Sequence, residues 1–221
     1  MSGPKALGPY SSNQNILLVG EGDFSFALAL ASNIGSANLL CTSLDRSSQI
    51  QVKYGKSATS TLNALKSLGA RVLHEIDAKC LGESLQSRSI QGTEYSRIVF
   101  LFPDSSQVDD EKTNLSKDEE LIREFLSSAA DIIARSSGQV HLVLTQEQLN
   151  SMDPASMCPA LRLVTSSEFR PNLFPGYHPQ PTWPGNTRPS LSRARLLVFG
   201  VAGSEAASCG QGASGSQQAA A

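Results

Sequence analysis

Leu17-Leu18-Val19-Gly20-Glu21-Gly22-Asp23-Phe24-Ser25-Phe26 is the stretch on which the fold turns. The apolar run Ile16 to Val19, closed by Gly20, reads as a strand buried on both faces. A Gly20-x-Gly22 turn leads directly into a helix, Asp23 to Asn33, with Phe26, Leu28 and Leu30 on its apolar face. Glycines at such a turn let the chain reverse sharply and let a ligand approach the main chain.

The same grammar repeats outward. A second strand, Leu39 to Leu44, ends at Asp45. A helix from Ser48 to Leu68 follows, with Ile50, Tyr54, Leu62, Leu65 and Leu68 inward and Gly69 as its stop. A third strand, Arg71 to Ile76, ends at Asp77, and a fourth, Arg97 to Phe102, is stopped by Pro103. A helix from Lys117 to Arg135 precedes a fifth strand, Val140 to Leu144. The last two strands, Leu161 to Phe169 and Arg195 to Val201, are joined by a Pro- and Gly-rich stretch, Pro171 to Pro189, with no helix. Strand–helix alternation predicts a doubly wound, mostly parallel α/β sheet between two helical layers. The helix-free connection predicts an antiparallel last strand. The expected order of the seven strands is 3-2-1-4-5-7-6.

Three ligand-facing features fall at three consecutive strand ends. The turn from Gly20 to Ser25, with Glu21, Gly22, Asp23 and Phe24, is the candidate cradle. Asp45 can accept hydrogen bonds from two ribose hydroxyls, and Asp77 can meet an adenine amino group. Each has a plainer reading, as a tight turn or as a helix N-cap; in register, the three point to a nucleoside-type cofactor in the crevice outside the strand ends. Ser25 replaces the third glycine of GxGxxG, and the single mononucleotide-binding half expected here leaves no room for a separate substrate domain. Glu21 and Asp23 would repel a pyrophosphate but tolerate a sulfonium with an amino group. The cofactor favoured is S-adenosylmethionine.

The run Ile16-Leu-Leu-Val-Gly-Glu-Gly-Asp-Phe-Ser-Phe-Ala-Leu resembles the opening of the ribosomal RNA uridine-N3 methyltransferase-like family, defined by a fungal enzyme acting on 25S rRNA. Further matches follow in order: Thr42 to Asp45, Lys53-Tyr54, Gly69 to Asp77, Arg97 to Phe100, and Phe174-Pro175-Gly176-Tyr177. The resemblance covers roughly Asn15 to Thr182. It implies a Rossmann-like class I methyltransferase that methylates RNA, with rRNA as partner and a nucleolar or nuclear location. Where the family reads Asn-Phe-Pro-His, this chain has Leu101-Phe102-Pro103-Asp104. The basic run that the family carries after its Tyr is missing from Tyr177 to Thr182. Phe102, Pro103 and Asp104 are the candidate catalytic residues, with Asp104 in the place of the family His.

Composition bounds the rest. The 221 residues are 40% hydrophobic, enough for a sizeable core. Residues 1–14 are expected to be a disordered leader, 15–203 the domain, and 204–221 a disordered low-complexity tail. A net charge of −2 argues against holding nucleic acid by bulk charge alone. It hides a segregation, because Asp104 to Glu124 holds eight acids and three bases, read as a solvated loop and helix face. Ser151 to Gly203 carries a net +3 together with Tyr177, His178, Trp183 and Arg188, the candidate RNA contacts. For Trp183, packing against its neighbouring prolines is the competing reading. The apolar runs are too short to span a bilayer, the opening residues lack a secretory h-region, and the scattered Cys and His residues make no metal motif. A soluble, reduced, intracellular protein without membrane or metal partners is expected. The competing functions are a methyltransferase-like binding module with impaired catalysis and, more distantly, an NAD-dependent oxidoreductase.

Overall fold

A computed structural model describes residues 3–105, 115–181 and 188–203. The chain forms β1 (Ala6–Leu7), β2 (Tyr10–Ser11), β3 (Ile16–Val19), α1 (Ser25–Ile34), β4 (Leu39–Ser43), α2 (Ser47–Ser67) and β5 (Arg71–His74). A 3-10 turn, Ala78–Cys80, leads to α3 (Leu81–Ser87) and β6 (Arg97–Leu101). Then come α4 (Leu115–Ile133), β7 (Gln139–Leu144), α5 (Gln146–Ser151), β8 (Leu161–Glu168) and β9 (Arg195–Val201).

β3 to β9 make one seven-stranded sheet, ordered β5-β4-β3-β6-β7-β9-β8. Counting only this sheet's strands, the order is 3-2-1-4-5-7-6. β3 pairs in parallel with β4 and β6, while β9 runs antiparallel to both β7 and β8. The pleat explains the unbroken apolar run of β3, since alternate side chains serve opposite faces. Ile16 and Leu18 pack with Phe26 and Leu30 of α1 and Leu62 and Leu65 of α2. Leu17 and Val19 pack with Leu81 of α3 and Phe125 and Leu126 of α4. Each such side chain, fully buried, contributes about 1.5–3 kcal/mol. β3 thereby becomes the central strand. Its neighbours on the two sides are reached by crossovers in opposite directions, so a crevice opens at its carboxyl end.

Four features differ from the reading of the sequence. Residues 6–11 are no disordered leader: β1 and β2 form an antiparallel hairpin through Gly8 at φ 56°. Tyr10 of that hairpin is buried against Phe26, His141 and Phe174. Strands of two residues carry no readable alternation, which is why the hairpin was hidden. The helix expected over Ser48 to Leu68 is broken at Gly55, where φ is 78° and ψ −175°. α3 and α5 occupy stretches in which no helix was expected. Asp118, inside the acidic run read as solvated, is 1% exposed. The low-complexity tail, residues 204–221, lies outside the described residues.

Candidate cofactor and substrate site

The crevice at the end of β3 holds two adjoining cavities. The larger, about 640 Å³, falls in the size range of small-molecule pockets. It is lined by Gly20 and Glu21 from the β3 turn, Asp45 and Leu44 beyond β4, Ile76 and Asp77 beyond β5, and Phe102 and Asp104 beyond β6. The smaller, about 70 Å³, is lined by Gly22, Asp23, Leu101, Tyr177, Pro179 and Gln180 among others. Gly20, Glu21, Tyr54 and Phe102 border both.

The glycines are there for want of space as well as for the turn. Gly20 sits at φ +70°, and a Cβ there would lie 2.3 Å from the Phe100 ring. A Cβ on Gly22 would lie 3.1 Å from the Tyr54 ring. Between them Glu21 donates its N–H to the Thr42 carbonyl at 2.8 Å. Its carboxylate Oε2 accepts the Ala27 N–H at 3.1 Å, in the first turn of α1. Burial pushes the Glu21 carboxyl up to about 8, opposed by the Ala27 N–H and reinforced by the charge of Asp23. Asp23 Oδ1 accepts the Ser25 N–H at 2.9 Å.

Asp45 is already engaged. Its Oδ1 accepts from Lys53 Nζ at 2.6 Å and its Oδ2 from the Tyr54 hydroxyl at 3.1 Å. The side chains of Lys53 and Asp45 are 8% and 12% exposed. The helix breaks at Gly55, next in the chain, and Lys53 and Tyr54, just before the break, line the cavity. Burial and the Asp45 charge hold the Tyr54 hydroxyl well above the usual range. Asp77 combines both readings of its sequence position. Its Oδ1 accepts the Lys79 N–H at 2.9 Å, capping the 3-10 turn, while the residue lines the larger cavity.

The loop after β6 is fixed by residues that the sequence did not flag. Phe102 takes φ 51° and donates its N–H to the Val143 carbonyl at 2.8 Å. The Pro103 carbonyl accepts from Gln148 Nε2 at 2.8 Å. Buried Asp118 accepts the Ser105 N–H at 2.8 Å and hydroxyl at 2.6 Å through Oδ1, and Gln148 Nε2 at 3.1 Å through Oδ2. Asp118 and Gln148 together hold Pro103 to Ser105 at the rim of the larger cavity. They stand 13 and 43 residues from Ser105, at no chemically telling spacing.

The remaining expected residues divide. Tyr177 borders the smaller cavity, its ring edge-on to Phe26 and Phe169. Phe24, at φ 61°, is fully buried against His74, so its side chain serves the core. The Ser25 hydroxyl accepts the His178 N–H at 3.4 Å, which ties the Tyr177 segment to α1. His178 and Arg188 are exposed and line neither of these cavities. Trp183 lies outside the described residues. Among the described residues there is no group of His, Cys, Asp and Glu able to hold a metal, and no helix long and apolar enough to cross a membrane.

Comparison with known proteins adds four findings. Residues 17–181 match the family model described as BMT5-like, rRNA (uridine-N3-)-methyltransferase BTM5-like. The chain is 36% identical over 174 residues to heavy metal-associated isoprenylated plant protein 41 of Arabidopsis thaliana, covering 76% of this chain and 33% of that one. It thus spans about a third of that relative's length. It is 25% identical over 247 residues to the 25S rRNA (uridine(2634)-N(3))-methyltransferase of Saccharomyces cerevisiae, covering 86% of this chain and 74% of that protein. The crystal structure of TrmN from Thermus thermophilus superposes with a TM-score of 0.52 at 18% identity, covering 85% of this chain and 44% of that one, a likeness of fold.

Proposed function

Because the chain belongs to the BMT5-like rRNA (uridine-N3-)-methyltransferase family, we propose that it binds S-adenosylmethionine and methylates a uracil N3 in large-subunit ribosomal RNA, in the nucleolus or nucleus. The observation that carries this reading is the pair of cavities that share Gly20 and Glu21, the larger lined by Asp45 and Asp77 and the smaller by Tyr177. The residues fit the cofactor. Gly20 and Gly22 leave the main chain bare where a ligand must come close, and the turn's carboxylates suit a cation. When bound, the cofactor supplies an electrophilic methyl group.

The chain's own residues do the rest. Asp45 accepts the ribose hydroxyls, exchanging one or both of its Lys53 and Tyr54 contacts for them. Asp77 stands at the adenine end. Phe102 and Tyr54 border both cavities, and the target base is assigned to the space beside them, its N3 edge toward the cofactor. Uracil N3 carries a proton at neutral pH, so N3 must lose that proton as it gains the methyl group. Asp104, on the loop held by Asp118 and Gln148, is assigned as the carboxylate that accepts it. Tyr177, His178, Trp183 and Arg188 are assigned to the RNA.

A second reading, a binding module with impaired catalysis, is favoured by Leu101. It borders the smaller cavity where the family's Asn would offer the base a hydrogen bond. Calorimetric titration with S-adenosylmethionine, followed by single-turnover transfer of labelled methyl to rRNA lacking the modification, tests both. Transfer supports the enzyme; binding without transfer supports the module; failure to bind S-adenosylmethionine refutes both.

A further inference from the structure

Glu21 is out of place as a plain structural residue. It is a carboxylate, 8% exposed, at the junction of two cavities, and one N–H donor, that of Ala27, faces it at 3.1 Å. A buried carboxylate is stable as an anion only with fuller pairing than this. Lys53, Lys79 and Lys117 line the same larger cavity, Lys53 paired with Asp45 and Lys79 with Glu124, and the charge that acts on Glu21 is that of Asp23. Asp23 on the same turn is a second carboxylate. Cys41 of β4 and Tyr177, which face it from the sheet and from the segment beyond β8, are held neutral by burial. Tyr54 of α2 stays neutral too, and Lys53 of the same helix is bound to Asp45. A ligand cation beside Glu21 would supply the partner its carboxylate lacks.

Resting on the reading that this site takes S-adenosylmethionine, we infer that Glu21 distinguishes the cofactor from its spent form by charge. The carboxyl carries a proton when the site is empty or holds the neutral thioether of S-adenosylhomocysteine, and releases it when a sulfonium lies beside it. Loss of the methyl group turns the sulfonium into a neutral thioether, the ammonium group being common to both forms, and Glu21 takes up a proton from solvent. The upward displacement of the Glu21 carboxyl, to about 8, places this exchange in the physiological range.

The experiment is calorimetric titration of the full chain with S-adenosylmethionine and with S-adenosylhomocysteine, at pH 7 in two buffers of different ionisation enthalpy. S-adenosylmethionine should release close to one proton more than S-adenosylhomocysteine. Its affinity relative to S-adenosylhomocysteine should rise roughly tenfold per pH unit up to about pH 8, since a released proton is pulled away as pH rises. Glu21→Gln keeps an acceptor for the Ala27 N–H and removes the titration. It should abolish both the extra proton and the pH-dependent preference. Equal proton release by the two ligands, or extra release persisting in Glu21→Gln, would overturn the inference while leaving the functional reading intact. If neither ligand binds the parent protein, both fall together. The parent's pH series stands as a test by itself should the variant not fold.

Discussion

Asp118→Asn changes one atom in the bridge that holds the loop after β6, and its cost follows from who donates to whom. In the native protein both Ser105 donors meet Oδ1, while Gln148 Nε2 meets Oδ2 at 3.1 Å. An asparagine that keeps its oxygen toward Ser105 turns its amino group on Gln148 Nε2, donor against donor. Gln148 cannot reverse its amide without further loss. Its Oε1 accepts the Thr145 N–H at 3.1 Å, and its Nε2 also serves the Pro103 carbonyl at 2.8 Å. One charge-assisted hydrogen bond, worth about 1.5–3 kcal/mol, is lost, and the two to Ser105 weaken with the charge. The expected loss is roughly 2–4 kcal/mol, which for a domain of this size lowers Tm by about 5–15 °C. Urea unfolding monitored by circular dichroism gives the first figure and scanning calorimetry the second. Asp118→Ala strands all three donors and should cost more. Because the loop forms the rim of the larger cavity, S-adenosylmethionine affinity should fall in parallel. An Asn variant within 0.5 kcal/mol of the parent, a margin ordinary for surface changes, would refute the reasoning.

Three further outcomes are expected. Asp45→Ala should weaken S-adenosylmethionine binding by about ten- to a hundredfold, measured calorimetrically, since a charge-assisted contact to the ribose is worth about 1.5–3 kcal/mol; unchanged affinity removes Asp45 from the site. Leu101→Asn combined with Asp104→His should raise methyl transfer to rRNA in single-turnover assays, and unaltered transfer in Asp104→Ala would show that the proton leaves by another group. His141, buried beneath Tyr10, has its imidazole pushed down to about 3 by burial and by the nearby Arg97. A depressed histidine is neutral when folded and protonated when unfolded between about pH 3 and 6.5. Its contribution is therefore complete above pH 6.5 and declines by up to roughly 4 kcal/mol as pH falls through that window. His141→Leu should flatten the pH dependence of urea stability there, and an unchanged slope would assign acid lability to other groups.

The sheet was legible in the sequence because buried parallel strands write themselves as unbroken apolar runs, and because each ends on a residue with a job. Ile16 to Val19 and Leu39 to Ser43 needed no tertiary information. The helix over Ser47 to Ser67 was legible as periodicity, yet not its interruption, since Gly55 reads like any tolerated helix glycine until the partners of Lys53 and Tyr54 are known. Asp77 shows how far one position can be read: strand end, cap and cavity wall are all compatible with it. The supports of the site were illegible for a different reason. Asp118 lay in a run of charge that sequence reading assigns to solvent, and Gln148 is an unremarked amide in a short helix. Their value depends on meeting Pro103 and Ser105, and no local pattern encodes a meeting of three separate segments.

The placement of β9 has a consequence for the order in which the molecule can be made. β8 touches the rest of the sheet through β9, which lies between it and β7. On a ribosome β8 emerges well before β9 and must wait, with its ladder N–H and C=O groups unpaired, until Arg195 to Val201 has left the exit tunnel. Tyr10 waits as well, because His141 and Phe174, against which it packs, are synthesised more than a hundred residues later. A nascent chain stopped before Arg195 therefore carries a strand with no partner, a ready target for chaperones, and stalled chains lengthened stepwise should lose protease sensitivity abruptly once β9 is free to insert.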